Sequence, residues 1–211
     1  MNLPELALQI GYGRIGWAVV ASAIVIYWWP RARPLTYWHA GLVMLAAACA
    51  ALLPGEASYA YWVGLACQYP SGLLVGCCLA SIWWRVRGEP GRYRLPPVLA
   101  IVLAPVGLLL YLDAIGVFAQ GSYFWGFGPA LAPGAALLGM LACAGAIAMR
   151  GARVTTLALF MALALFTLLR LPSGNLWDSL LDPLLWIWSC AALVSLLRAR
   201  LARGAVPLPA G

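Results

Sequence analysis

The sequence predicts an all-α integral membrane protein of about seven transmembrane helices, with its N-terminus outside and its C-terminus in the cytoplasm. Three observations carry that expectation. The 211 residues are 64% hydrophobic and only 9% charged, with a mean hydropathy of +0.91, whereas soluble domains carry roughly a quarter charged residues. Apolar runs recur along the whole chain at about 20 residues, the length needed to cross hydrocarbon. The chain also holds thirteen arginines and no lysine, and eleven of those arginines fall in alternate connections between the runs. Basic residues accumulate on the cytoplasmic side of membrane proteins, so this partition sets an orientation.

The apolar runs place spans at about 6–29, 35–53, 59–84, 96–118, 130–148, 154–171 and 175–197, in one polytopic domain followed by a short basic tail at 198–211. The first span follows Glu5 and no basic segment, so a cleaved signal peptide is not expected. It contains a literal GxGxxG at Gly11, Gly13 and Gly16. No strand precedes these glycines and no ribose-binding acid follows, so they do not read as a dinucleotide site. They are expected instead to let the outer end of the helix pack closely or bend. Arg31 and Arg33 close this span on the inside, and Tyr37 and Trp38 open the second.

The connection at 54–58 lacks arginine, and Tyr59, Tyr61 and Trp62 begin the third span at the level where amphipathic rings settle. That span carries Gln68-Tyr69-Pro70 and a GxxxG at Gly72 and Gly76, then ends at Trp83 and Trp84 before Arg85, Arg87, Arg92 and Arg94. Small residues of this kind mark close helix contacts. Asp113 lies in the fourth span, and the aromatic–glycine run GSYFWGFGP follows at 121–129. The fifth span is rich in glycine and alanine and leads to Arg150 and Arg153. The sixth ends at Arg170, and Ser173 or Asn175 is expected to cap the seventh, where Asp178 suits the first turn and Asp182 precedes Pro183. Arg198, Arg200 and Arg203 close the chain on the inside.

Ionisable groups within spans need a partner, water or a task. At 1.5 Å per residue, Arg14 and Asp182 lie roughly 22 Å from the inner ends of their spans, Gln68 and Arg170 about 24 Å, and Asp113 about 25 Å. Five helices therefore bring a polar group to one depth, with Asp178 one turn beyond Asp182 on the same face. Arg14, Gln68, Asp113, Arg170, Asp178 and Asp182 are the candidate substrate-binding residues. They form either an ion-pair network that pins the helices or an outward-facing pocket whose arginines clamp an anionic group. Trp125, in the loop expected above this layer, joins them as a ring that can stack on a sugar or shield an acyl chain. The plainer reading of that loop is an interfacial hairpin.

Other classes are disfavoured. The formal charge of +7 comes from arginines that flank apolar runs and not from a basic face, so nucleic acid is not an expected partner. Cys49, Cys67, Cys77, Cys78, Cys143 and Cys190 lie inside apolar runs without a CxxC, and His39 is the sole histidine. They read as small buried hydrophobes, so no cofactor and no metal is expected. No nucleophile–base pair is visible, and the sequence does not point to an enzyme. The expected function is an accessory or lipid- or glycolipid-binding component of the bacterial inner membrane. Its partners would be the bilayer together with a membrane protein or a lipid-linked ligand. The alternatives are a small proton-coupled transporter or flippase, and a membrane enzyme acting on lipid-linked phosphate or sugar.

Overall fold

The computed structural model describes residues 3–30, 34–89, 95–118, 121–149 and 153–204, and every regular element within them is helical. In chain order these are α1 (Leu6–Tyr27), α2 (Tyr37–Leu52), α3 (Tyr59–Cys67), α4 (Gly72–Val86), α5 (Pro97–Ala114), α6 (Leu131–Ala148), α7 (Arg153–Leu169), α8 (Leu176–Leu180) and α9 (Pro183–Gly204). Short 3-10 turns occupy Gly55–Ala57 and Ser122–Phe127. Arg31, Arg33, Arg92, Arg94, Arg150 and the 205–211 part of the tail lie outside the described residues, as do the side chains of Arg153 and Arg203.

Four helices, Leu6–Tyr27, Pro97–Ala114, Leu131–Ala148 and Pro183–Ala202, are long and apolar enough to cross a membrane. The apolar helices α2, α4 and α7 are shorter, at 16, 15 and 17 residues. Large apolar side chains also cover the outside of the bundle; Leu45 is 61% exposed, Leu138 70% and Leu168 79%. A soluble protein rarely presents so much contiguous apolar surface to water, which suggests a membrane protein.

Two of the expected spans are not continuous helices. The segment at 59–84 divides into α3 and α4, with Gln68–Ser71 between them, and the segment at 175–197 divides into α8 and α9 around Leu181 and Asp182. The cause is local. Proline lacks an N–H and drives the residue before it away from helical angles, and a capping side chain beside the proline stabilises the new helix start. Ser71 follows Pro70 and accepts the Leu74 N–H at 3.0 Å. Asp182 precedes Pro183 and accepts the Leu185 N–H at 2.9 Å. Pro105, preceded by Ala104 with no capping group, stays inside an unbroken α5.

Small residues then decide which helices meet. A Cβ added to Gly72 or Gly76 would lie 2.9 Å from Ala162 Cβ or 2.6 Å from Ala158 Cβ, so the GxxxG of α4 is occupied by α7 within the same chain. Gly13 and Gly16 of α1 lie against Tyr69 and Pro70, where a Cβ would come within 2.6 Å of either ring. The glycines of the rejected nucleotide motif therefore admit the α3–α4 break. On its other side α7 packs against α6 around Ala136, Leu163 and Phe166, and α5 pairs with α9. In that pair Trp186 Nε1 donates to the Ala104 carbonyl at 3.0 Å.

Candidate functional site: an acid–aromatic cavity between two helix breaks

Asp182, only 4% exposed, joins the two breaks. One carboxylate oxygen accepts the Leu185 N–H and caps α9, while the other accepts the Ser71 N–H at 2.8 Å, at the residue that caps α4. The carbonyls set free where helices end find donors on α1. Tyr12 donates its hydroxyl to the Pro70 carbonyl at 2.9 Å, Trp17 Nε1 to that of Gln68 at 3.1 Å, and Gln9 Nε2 to that of Pro172 at 2.7 Å. Buried backbone groups require such partners. Gln9, Tyr12, Gly13, Gly16 and Trp17 recur at the spacing of one helical face, so α1 supplies both the donors and the gaps that accommodate the break.

The breaks leave a cavity of about 210 Å³ beside them, lined by Tyr69, Tyr111, Tyr123, Trp177, Asp178 and Asp182 among others. Asp178, half-buried, accepts a hydrogen bond from the Tyr123 hydroxyl at 2.8 Å and another from the Ser173 hydroxyl. Tyr123 belongs to the 3-10 turn at Ser122–Phe127, which roofs this side of the cavity and is held from two directions. Asp113 accepts the Gly121 and Tyr123 N–H groups at 3.1 and 2.7 Å. From the other side, Asn175 Nδ2 donates to the Tyr123 carbonyl at 3.2 Å and Trp177 Nε1 to that of Ser122 at 3.1 Å. Burial, and then the neighbouring Asp178 carboxylate, pushes the Tyr123 hydroxyl well above the usual phenol range, so it serves as a donor. Among the described residues, no arginine or histidine lines the cavity. Its two carboxylates are satisfied by N–H and O–H donors.

The sequence-predicted residues are thus partly gathered and partly separated. Asp178, Asp182 and Gln68 line the cavity. Arg14 does not; it lines a second, adjoining space of about 490 Å³ between α1 and α3, and it donates to the Leu52 carbonyl at 3.3 Å. Asp113 positions the aromatic turn instead of facing the cavity. Arg170 stacks on Phe166, with its guanidinium carbon 5.1 Å from the ring centre. Trp125 is 63% exposed and lines neither space. Among the described residues no ion pair joins Arg14 or Arg170 to these carboxylates, so the layer is not an ion-pair network. The reason is that helix ends, the aromatic turn and neighbouring hydroxyls present N–H and O–H donors, and these take the carboxylate oxygens.

Gln68 and Arg170 share one feature that composition could not reveal. Both have left-handed backbone angles, φ 59° and 56°, that disfavour residues other than glycine. Gln68 (ψ −122°) is held there by the Trp17 bond to its carbonyl. Strain of this sort costs of order 1–3 kcal/mol and clusters at sites where the surroundings impose it. Sequence reasoning missed Tyr69, Tyr111, Tyr123 and Trp177 as cavity residues, having assigned Tyr123 and Trp177 to interfacial anchoring and given Tyr69 and Tyr111 no role as rings. It also missed Gln9, Tyr12 and Trp17, although their helical spacing was available as a signal.

All six cysteines are free, and Cys67 lines the cavity. Among the described residues no three His, Cys, Asp or Glu side chains come together as metal ligands. No family model, curated protein or solved structure matches the chain.

Proposed function

We propose that this chain is a multi-pass protein of the bacterial inner membrane that binds the polar part of a ligand near the outer face, in the acid–aromatic cavity. In this reading the chain crosses seven times, with its N-terminus outside and its C-terminus inside. The alternation of arginine-bearing and arginine-free connections supports that count. The broken helix at 59–84 supports it as well, because α3 and α4 together supply the length that each alone lacks, while α9 has that length by itself.

The observation that carries the ligand reading is the lining: Asp178 and Asp182 with four aromatic rings and, among the described residues, no basic side chain. Carboxylates in a low-dielectric site need a compensating cation, a proton or a dense set of donors. Aromatic faces favour ammonium groups and sugar rings. The ligand part bound here is therefore cationic or rich in hydroxyls, and not the anionic headgroup that a cluster of arginines would select. Native mass spectrometry of the gently solubilised protein beside Asp178→Asn tests this. An amine- or sugar-containing molecule retained by the parent and lost from the variant is the expected result, and bare protein in both spectra overturns it.

One observation favours a second reading, a proton-coupled transporter or flippase. Interrupted spans whose breaks meet at a polar site are a recurrent device of transporters, and both breaks here meet at Asp182. Proton uptake by reconstituted vesicles that disappears in Asp178→Asn would favour transport over simple binding.

A further inference from the structure

We infer that the ligand is a zwitterion, with its ammonium end between Asp178 and Asp182 and its oxyanion end at Arg14 in the adjoining space. This inference rests on the binding reading above. The two spaces share Gln68, Tyr69 and Ser173 as lining residues, so an acidic compartment adjoins one that holds Arg14. Opposite charges that line adjoining spaces within a bundle ordinarily pair where they can reach each other. Here Arg14 has no carboxylate partner among the described residues, and one bond to the Leu52 carbonyl is its recorded hydrogen bond. A guanidinium offers five donors, so among the described residues most of its capacity to grip a carboxylate or phosphate in a fork is free. On the other side of the partition the two carboxylates have no cationic side chain among the described residues, and Tyr69, Tyr111, Tyr123 and Trp177 present rings suited to an ammonium. A molecule carrying both charges completes both compartments at once.

The partition itself fits that task. Gln68 lines both spaces, and its side-chain amide both donates and accepts, so it can meet either end of a bridging molecule. Its strained backbone is fixed by Trp17, which lines the Arg14 space. Two sources offer the required chemistry: an aminophospholipid headgroup entering from the bilayer, or a soluble aminophosphate.

Tryptophan fluorescence can follow binding, because Trp177 and Trp17 each line one of the spaces. The delipidated full chain would be titrated with micelles containing phosphatidylethanolamine or phosphatidylglycerol, and with free O-phosphoethanolamine and ethanolamine. The inference expects phosphatidylethanolamine or O-phosphoethanolamine to bind at least tenfold more tightly than phosphatidylglycerol and ethanolamine, each of which lacks one charge. Preference for the lipid identifies a headgroup, and equal binding of the free compound identifies a soluble ligand; either upholds the zwitterion. Arg14→Gln is expected to bring the zwitterion down to the level of ethanolamine, and Asp178→Asn to the level of phosphatidylglycerol. Ethanolamine binding as tightly as the zwitterion, with Arg14→Gln silent and Asp178→Asn still disruptive, overturns the inference and leaves the binding reading intact. Equal affinity for every probe in the parent and both variants overturns both. The ligand series on the parent decides the matter even where a variant folds poorly.

Discussion

At Gln68–Ser71 the chain leaves one helix through a left-handed glutamine and enters the next through a serine, using neutral groups throughout. At Leu181–Asp182 it passes through an extended leucine and a buried carboxylate. The first break depends on its neighbours: α1 supplies donors for its carbonyls, and Asp182 accepts the Ser71 N–H. The second caps itself, and with its remaining oxygen it serves the first. The difference teaches that the two breaks are one structural unit with an asymmetric dependence. Asp182 is the shared support, while Asp178, four residues earlier and across the break, is bound by hydroxyls and is available to a ligand.

That asymmetry is tested most severely by Asp182→Ala, which leaves the Ser71 and Leu185 N–H groups without acceptors. Hydrogen bonds to charged groups contribute about 1.5–3 kcal/mol each. Relief of carboxylate burial offsets part of the loss, so a net destabilisation of about 3 kcal/mol is expected in detergent unfolding. A loss below about 1 kcal/mol would mean that the breaks are supported independently.

How much of this was legible in the chain varies by residue. The apolar runs and arginine spacing indicated the helices, and the bounds of α1, α2 and α6 lie within a few residues of the expected spans. The breaks were less visible, because a window of hydropathy averages over four residues at Gln68–Ser71 and two at Leu181–Asp182. The distinguishing signal was nevertheless present: a capping residue adjoins Pro70 and Pro183, whereas Ala104 precedes Pro105. Expecting arginine–carboxylate pairs failed for a different reason. Placing groups at a common depth assumes intact helices, and intact helices present no free N–H groups to compete with the arginines.

A substitution on α1 probes the dependent break from outside. Gly13→Ala would set a methyl group 2.6 Å from the Tyr69 ring. Overpacking of this kind costs about 1–3 kcal/mol, and the loss should be accompanied by altered fluorescence of Trp17. The same substitution at Gly11, where nothing lies within 4 Å, is expected to be silent. Ser71→Ala removes only the α4 cap, and a loss of about 1 kcal/mol is expected. Finding that Ser71→Ala is as costly as Asp182→Ala would reverse the assignment of the shared support.

The smallest effect has the opposite sign. Gln68→Gly relieves the positive φ, and a gain of up to about 1 kcal/mol is expected from that relief, less the added flexibility of glycine in the unfolded chain. Binding measured by the same fluorescence titration should weaken, because the amide shared by the two spaces is lost. Stability gained with binding unchanged would confine Gln68 to a structural role.

The central claim is that the acid–aromatic cavity opens towards the outer face as a ligand site, and Cys67 is a native reporter within it. The direct measurement is modification of Cys67 by a membrane-impermeant thiol reagent, with the five other cysteines replaced by alanine. Labelling of intact spheroplasts, accelerated by Tyr123→Ala in the roof of the cavity, is the result this account predicts. Labelling confined to inverted membranes, or absent from both preparations, would contradict it.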